Sequence, residues 1–146
     1  MKTLAFAALA AAAFHSNALA QSDMGRASAQ EPPLEVEIAL EDCLDGARAP
    51  RATSYALGAC DYALSQPASD RLRAGLLANR GVILYKRGDF AGARADLEDA
   101  LALAPDLAEA SLNLSAVLIR LDDPARAAAE AGRALDRGLR DAWRAH

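Results

Sequence analysis

Residues 74–107 read AGLLANRGVILYKRGDFAGARADLEDALALAPDL, and residues 108–141 read AEASLNLSAVLIRLDDPARAAAEAGRALDRGLRD. Aligned one above the other, Asn79 meets Asn113, Gly81 meets Ser115, Ala93 meets Ala127 and Ala100 meets Ala134, each pair 34 residues apart. Within each copy apolar residues recur at three- and four-residue spacing, the pattern of an amphipathic helix. Arg87-Gly88-Asp89 and Asp122-Asp123-Pro124 interrupt the two copies at matching places. Gly88 suits a residue of positive φ just past a helix end. Asp123 followed by Pro124 reads as an N-cap and a first helical residue. Ala104-Pro105-Asp106 ends one helix and restarts another. A unit of two short helices repeated at a fixed period buries its apolar face only by stacking on a neighbour.

The first copy resembles a tetratricopeptide repeat of nearly full consensus. Gly81 stands at the small position of its first helix, Tyr85 precedes the Lys86-Arg87-Gly88-Asp89-Phe90 turn, Ala93 and Ala100 take the small positions of the second helix, and Pro105 closes the unit. Ala93 and Ala100 are seven apart and share one helix face, so a neighbouring helix can approach closely there. The second copy departs from the pattern at Ser115, at Pro124 and at Leu139. A third, weaker copy lies upstream, with Ala56 and Ala63 at the small positions and Cys60 between them. Its first helix is expected from Leu34 to about Leu44, with Asp45-Gly46 to Pro50 as the break and a long connection after it. Gln66-Pro67-Ala68 ends its second helix, and Ser69 or Asp70 caps the next. No alternating strand pattern occurs. The resemblance implies an all-α fold, a right-handed solenoid of about three helical hairpins. The expected divisions are 34–66, 74–107 and 108–141, with 142–146 opening a capping helix. In that segment Trp143 either covers the end of the stack or serves as an interaction hot spot.

The N-terminus reads differently. Lys2, the apolar run from Leu4 to Ala13 and Ala18-Leu19-Ala20 before Gln21 have the order of a secretory signal peptide. The run is too short to span a bilayer, which takes about 20 residues. Residues 21–33, with Pro32-Pro33, form a polar leader. Export implies an oxidising compartment, where Cys43 and Cys60, 17 residues apart, read as a disulfide stapling the first hairpin; two buried thiols are the alternative. Lys occurs only at positions 2 and 86, and the Ala- and Arg-rich usage is that of a high-GC bacterial genome. The expected location is therefore a bacterial periplasm, or the medium after secretion.

Composition narrows the function. The chain carries a formal charge of −4, and removing the signal segment with its Lys2 makes it one unit more negative. That balance argues against nucleic acid and anionic lipid as partners. The two histidines are His15, in the signal segment, and His146, at the C-terminus, so no histidine in the body can act as a base or ligate a metal. Ser54, Ser65, Ser111 and Ser115 therefore lack an activating histidine. The acid pairs Glu41-Asp42, Glu98-Asp99 and Asp122-Asp123 are sequence neighbours, which on a helix do not face each other. Neither an enzyme, a metal site nor a cofactor is expected.

In the tetratricopeptide family the first helices line a concave groove that takes peptides or partner helices. Carried over, the groove would present Asn79, Val82, Tyr85, Lys86, Asn113, Ala116, Ile119 and Arg120. The Asn pair would offer donors and acceptors to a peptide backbone, and the two cations would steer carboxylates. The carboxylate clamp of some relatives is not expected, because the corresponding positions include Ala78, Val82, Leu112 and Ala116. The reading is a protein–protein interaction module for a polypeptide of the cell envelope; the alternative is a structural, self-associating envelope protein with an empty groove. Intact mass spectrometry of the exported protein should give a chain beginning at Gln21 and about 2 Da lighter than its reduced form, as one disulfide requires. An unchanged mass on reduction would remove the staple.

Overall fold

The computed structural model describes residues 32–144; the expected signal segment 1–20, nearly all of the leader 21–33, and His146 lie outside the described residues. Six helices follow one another: α1 Leu34–Arg48, α2 Ser54–Ser65, α3 Asp70–Lys86, α4 Phe90–Leu103, α5 Ala108–Arg120 and α6 Pro124–Arg144. No strand occurs among the described residues. Local chemistry sets the starts. The Thr53 hydroxyl accepts the Ala56 N–H at 3.1 Å, Ser69 that of Leu72 at 3.3 Å, Asp89 that of Gly92 at 2.9 Å and Asp123 that of Arg126 at 3.2 Å. Each satisfies an N–H that the helix itself leaves unpaired. Gly88 and Asp122, one period apart, turn the chain with φ of +84° and +60°. Gly adopts that region without strain, and Asp is among the side chains that tolerate it.

Two boundaries differ from the sequence expectation. α1 does not stop near Leu44 but runs to Arg48, and Ala49 turns extended with ψ of 146° because Pro50 follows. Gly46 is not a breaker. It is buried inside α1, where an added Cβ would collide with the Cβ of Ala56 on α2. It is the small residue of the first hairpin, as Gly81 is of the second. The connection 49–53 is still longer than 87–89. At the other end, 142–144 start no new helix. They continue α6, because no N-cap or Pro intervenes and a lone Gly138 costs a helix only about 1 kcal/mol.

The helices pair as hairpins α1/α2, α3/α4 and α5/α6, with α2 on α3 and α4 on α5, while the first helices α1, α3 and α5 also touch in sequence. This is an all-α helical-repeat solenoid. One core cluster joins Ala39, Cys43, Ala56, Cys60, Ala63, Leu76 and Ile83. A second gathers around Leu97, Leu114, Val117 and Leu118 with the small residues Ala74, Ala93, Ala100 and Ala127. Leu64 packs against both. Cys43 and Cys60 are bonded and fully buried. Closing a loop of this length stabilises the fold by about 3 kcal/mol.

At Gly81 an added Cβ would lie 2.9 Å from Leu97 Cγ and 3.3 Å from the Ala93 carbonyl oxygen, whereas at Gly75 it would meet nothing within 4 Å. In urea unfolding, Gly81→Ala should therefore lose about 1–3 kcal/mol through overpacking. Gly75→Ala should gain about 0.5–1 kcal/mol from reduced chain entropy. Equal effects would contradict the close approach of α3 and α4.

Candidate docking face

α3 is the helix on which this face is built, since it touches both other first helices. Its cations are directed at the first hairpin from Arg73, Arg80 and Arg87, which lie two turns apart on one side of a helix. Arg73 donates to the carbonyl oxygens of Leu64 at 2.9 Å and Gln66 at 3.3 Å, closing the C-terminus of α2. Arg80 donates through Nε and Nη2 to both oxygens of Asp96 at 2.7 and 2.8 Å, and through Nη1 to Asp61 at 2.8 Å. The hydrogen bonds that Arg80 donates to Asp96 hold its guanidinium charged well above its already high ordinary range. This clasp ties α2, α3 and α4 together. Arg87 donates to the Ser54 hydroxyl at 3.3 Å.

The residues expected in the groove fall into three groups. Lys86 is committed to the fold: its ammonium donates to the carbonyl oxygens of Ala47 at 2.5 Å and Ala49 at 2.7 Å, capping the C-terminus of α1. Tyr85 and Arg120 meet at Phe90, the first residue of α4. The Tyr85 ring stands edge-on to Phe90 at 5.5 Å between centroids, and the Arg120 guanidinium lies 4.8 Å from the Phe90 centroid. The third group remains available. Asn79, Val82 and Asn113 are half-buried, and neither amide side chain is hydrogen-bonded to a described residue. Ala116 and Ile119 are exposed on α5, Ile119 at 63%.

Sequence reasoning left one member out of the groove. Leu112, 59% exposed, stands one turn before Ala116, so Leu112, Ala116 and Ile119 form a continuous apolar stripe at i, i+4, i+7. Periodicity alone could not single it out, because its counterpart one period earlier, Ala78, is buried in the core. The packing positions Gly81, Ala93, Ala100, Ser115 and Ala127 are buried, while Ala134 is half-buried because no described element covers α6 on that side. Among the described residues no group of three His, Cys, Asp or Glu is placed to hold a metal ion, and no helix is long and apolar enough to cross a membrane.

Residues 74–107 match the family model of the tetratricopeptide repeat. The chain thus carries one tetratricopeptide repeat over these residues, and repeats of this kind are protein–protein interaction modules in general. No curated protein matches the chain.

The division of labour among the groove cations can be measured. Lys86→Ala should lower stability by about 1 kcal/mol, the low end for hydrogen bonds from a charged donor at an exposed site. Arg120→Ala should stay within about 0.5 kcal/mol of the parent, as surface substitutions do. Thermal or urea unfolding decides, and the reverse ranking would detach Lys86 from α1.

Proposed function

We propose that this protein is exported and holds a polypeptide of the cell envelope against its first-helix face. The observation that carries the reading is the uncovered stripe Leu112, Ala116 and Ile119 beside two uncommitted amides, Asn79 and Asn113. Solvated apolar side chains in a continuous row lose water when a partner's apolar face lies on them. The amides then pair with its backbone or polar side chains, which fixes register. Binding of this kind asks for no chemistry at the site and fits a body without histidine.

A second reading, a self-associating structural protein, is favoured by one feature. The crease between α5 and α6 forms an apolar hollow of about 510 Å³ walled by Leu112, Ala131, Ala134 and Leu135. The counterparts one period upstream, Ala78, Leu97 and Ala100, are buried in the core cluster that includes α5 residues.

A photoreactive side chain at Val82 or Ile119, compared with one at exposed Asp99 on α4, separates these readings in the native cell envelope. A defined heterologous adduct from Val82 and Ile119 but not from Asp99, lost on combined Asn79→Ala and Asn113→Ala substitution, supports groove binding. Adducts only between copies of the chain favour self-association, and labelling confined to Asp99 removes the first-helix face from consideration.

A further inference from the structure

At the C-terminal ends of α3 and α5 the surface dips into a hollow of about 390 Å³ lined by Tyr85, Lys86, Arg87, Gly88, Phe90 and Arg120. Three of its six lining residues are cationic and none is acidic. Five arginines elsewhere are matched with carboxylates: Arg71 with Asp106, Arg80 with Asp61 and Asp96, Arg94 with Glu98, Arg126 with Glu98 and Asp123, Arg133 with Glu130; Arg73 and Arg137 meet neutral acceptors singly, outside any shared hollow. Lys86, Arg87 and Arg120 form no salt bridge with any described residue. Their protein partners are neutral: two carbonyl oxygens, one hydroxyl and one aromatic face. Hydrogen bonds to neutral acceptors leave the positive charge uncompensated. The Arg120 guanidinium donates no hydrogen bond to a described residue, and the Phe90 ring holds its plane in place without using its donors. In a chain of net negative charge, three unmatched cations in one depression are a local departure that charge complementarity can explain.

We propose that this hollow receives the carboxylates of an acidic segment of the bound polypeptide. Arg120 and Arg87 are the donors, and Lys86 contributes charge while keeping its hold on α1. The hollow abuts the proposed groove, because Tyr85, Lys86 and Arg120 belong to both. A partner lying along Leu112, Ala116 and Ile119 toward the C-terminus of α5 would bring its next residues to Arg120. The partner is therefore an apolar segment flanked by Asp or Glu. A short acidic stretch fits better than a polyanion: the site is one depression, and the net negative charge of the chain repels extended negative charge. The assignment rests on the groove reading for its partner class, but its test does not.

The test is an NMR titration of the ¹⁵N-labelled full chain with acetyl-Glu-Glu-Glu-Glu-amide, acetyl-Gln-Gln-Gln-Gln-amide and inorganic phosphate. The glutamate peptide should shift the resonances of residues 85–90 and 120 in a saturable way, and the glutamine peptide should not. Arg87→Gln and Arg120→Gln should each weaken binding by about fivefold, and together by about twentyfold, as loss of charge-assisted hydrogen bonds to carboxylates requires. Lys86 is left intact so that the first hairpin stays in place, and an unchanged spectrum away from the hollow verifies the fold of each variant. Shifts spread evenly over the surface cations, equal response to the glutamine peptide, or phosphate binding as tightly as the glutamate peptide would each overturn the assignment. If groove adducts from Val82 and Ile119 persist while the glutamate peptide fails, the acidic-segment assignment falls and the groove stands. Glutamate binding at the hollow without groove adducts does the reverse.

Discussion

The structure depends on how closely α3 and α4 can approach. At Gly81 the missing side chain is the space that Leu97 occupies. With Ala93 and Ala100 fully buried along the facing side of α4, the two helices meet over small residues and Leu97 is sealed from water. Close contact of this kind yields many weak dispersion contacts per residue. That matters in a chain with only 5% aromatic residues, where bulky side chains cannot supply the burial. The same device recurs at Gly46 against Ala56 in the first hairpin. In the third hairpin Ser115 takes the position and is itself buried, and a polar contact appears nearby: Arg137 of α6 donates to the Ser111 hydroxyl of α5.

Close packing aligns the hairpins, and the cations of α3 lock them. Arg73 and Lys86 seal the C-termini of α2 and α1, supplying donors to carbonyls that a helix end leaves over. Arg80 bridges Asp61 and Asp96 across two hairpins. Burying Asp96 carries a desolvation cost, which a bidentate guanidinium is suited to offset. α3 is thus fastened at both ends and in the middle to the first hairpin. The face it shares with α5 is held by helices rather than loops, which favours a preorganised surface over one that must be ordered on binding.

The repeat was legible because its determinants are local and periodic: Gly81, Ala93, Ala100 and Pro105 sit at fixed offsets, and the turn at Gly88 announces itself. Gly46 was misread because glycine near a proline resembles a helix stop; only its spacing of 35 residues from Gly81 hinted that it was a packing residue. The face was legible by position but not by occupancy. That Lys86 would spend two donors on Ala47 and Ala49, 39 and 37 residues away, depends on the angle between hairpins, which no periodicity encodes. The Arg80 clasp was hidden for the same reason. Asp61 and Asp96 are 19 and 16 residues from Arg80, on different helices.

A stack of hairpins is stabilised by nearest-neighbour interfaces, so a terminal unit is held from one side only. Here α5 and α6 lean on α4, through core residues and the Arg126–Glu98 bond, and on α3. The hollow at Phe90 straddles this last joint: Tyr85 and Arg87 approach it from the second hairpin, Arg120 from the third. A ligand that contacts both sides binds only while the joint is closed. Its binding free energy therefore adds to the stability of the joint by mass action. The joint between the second and third hairpins is thereby the one that an acidic partner would reinforce, and occupancy of the face and integrity of the third hairpin become linked quantities.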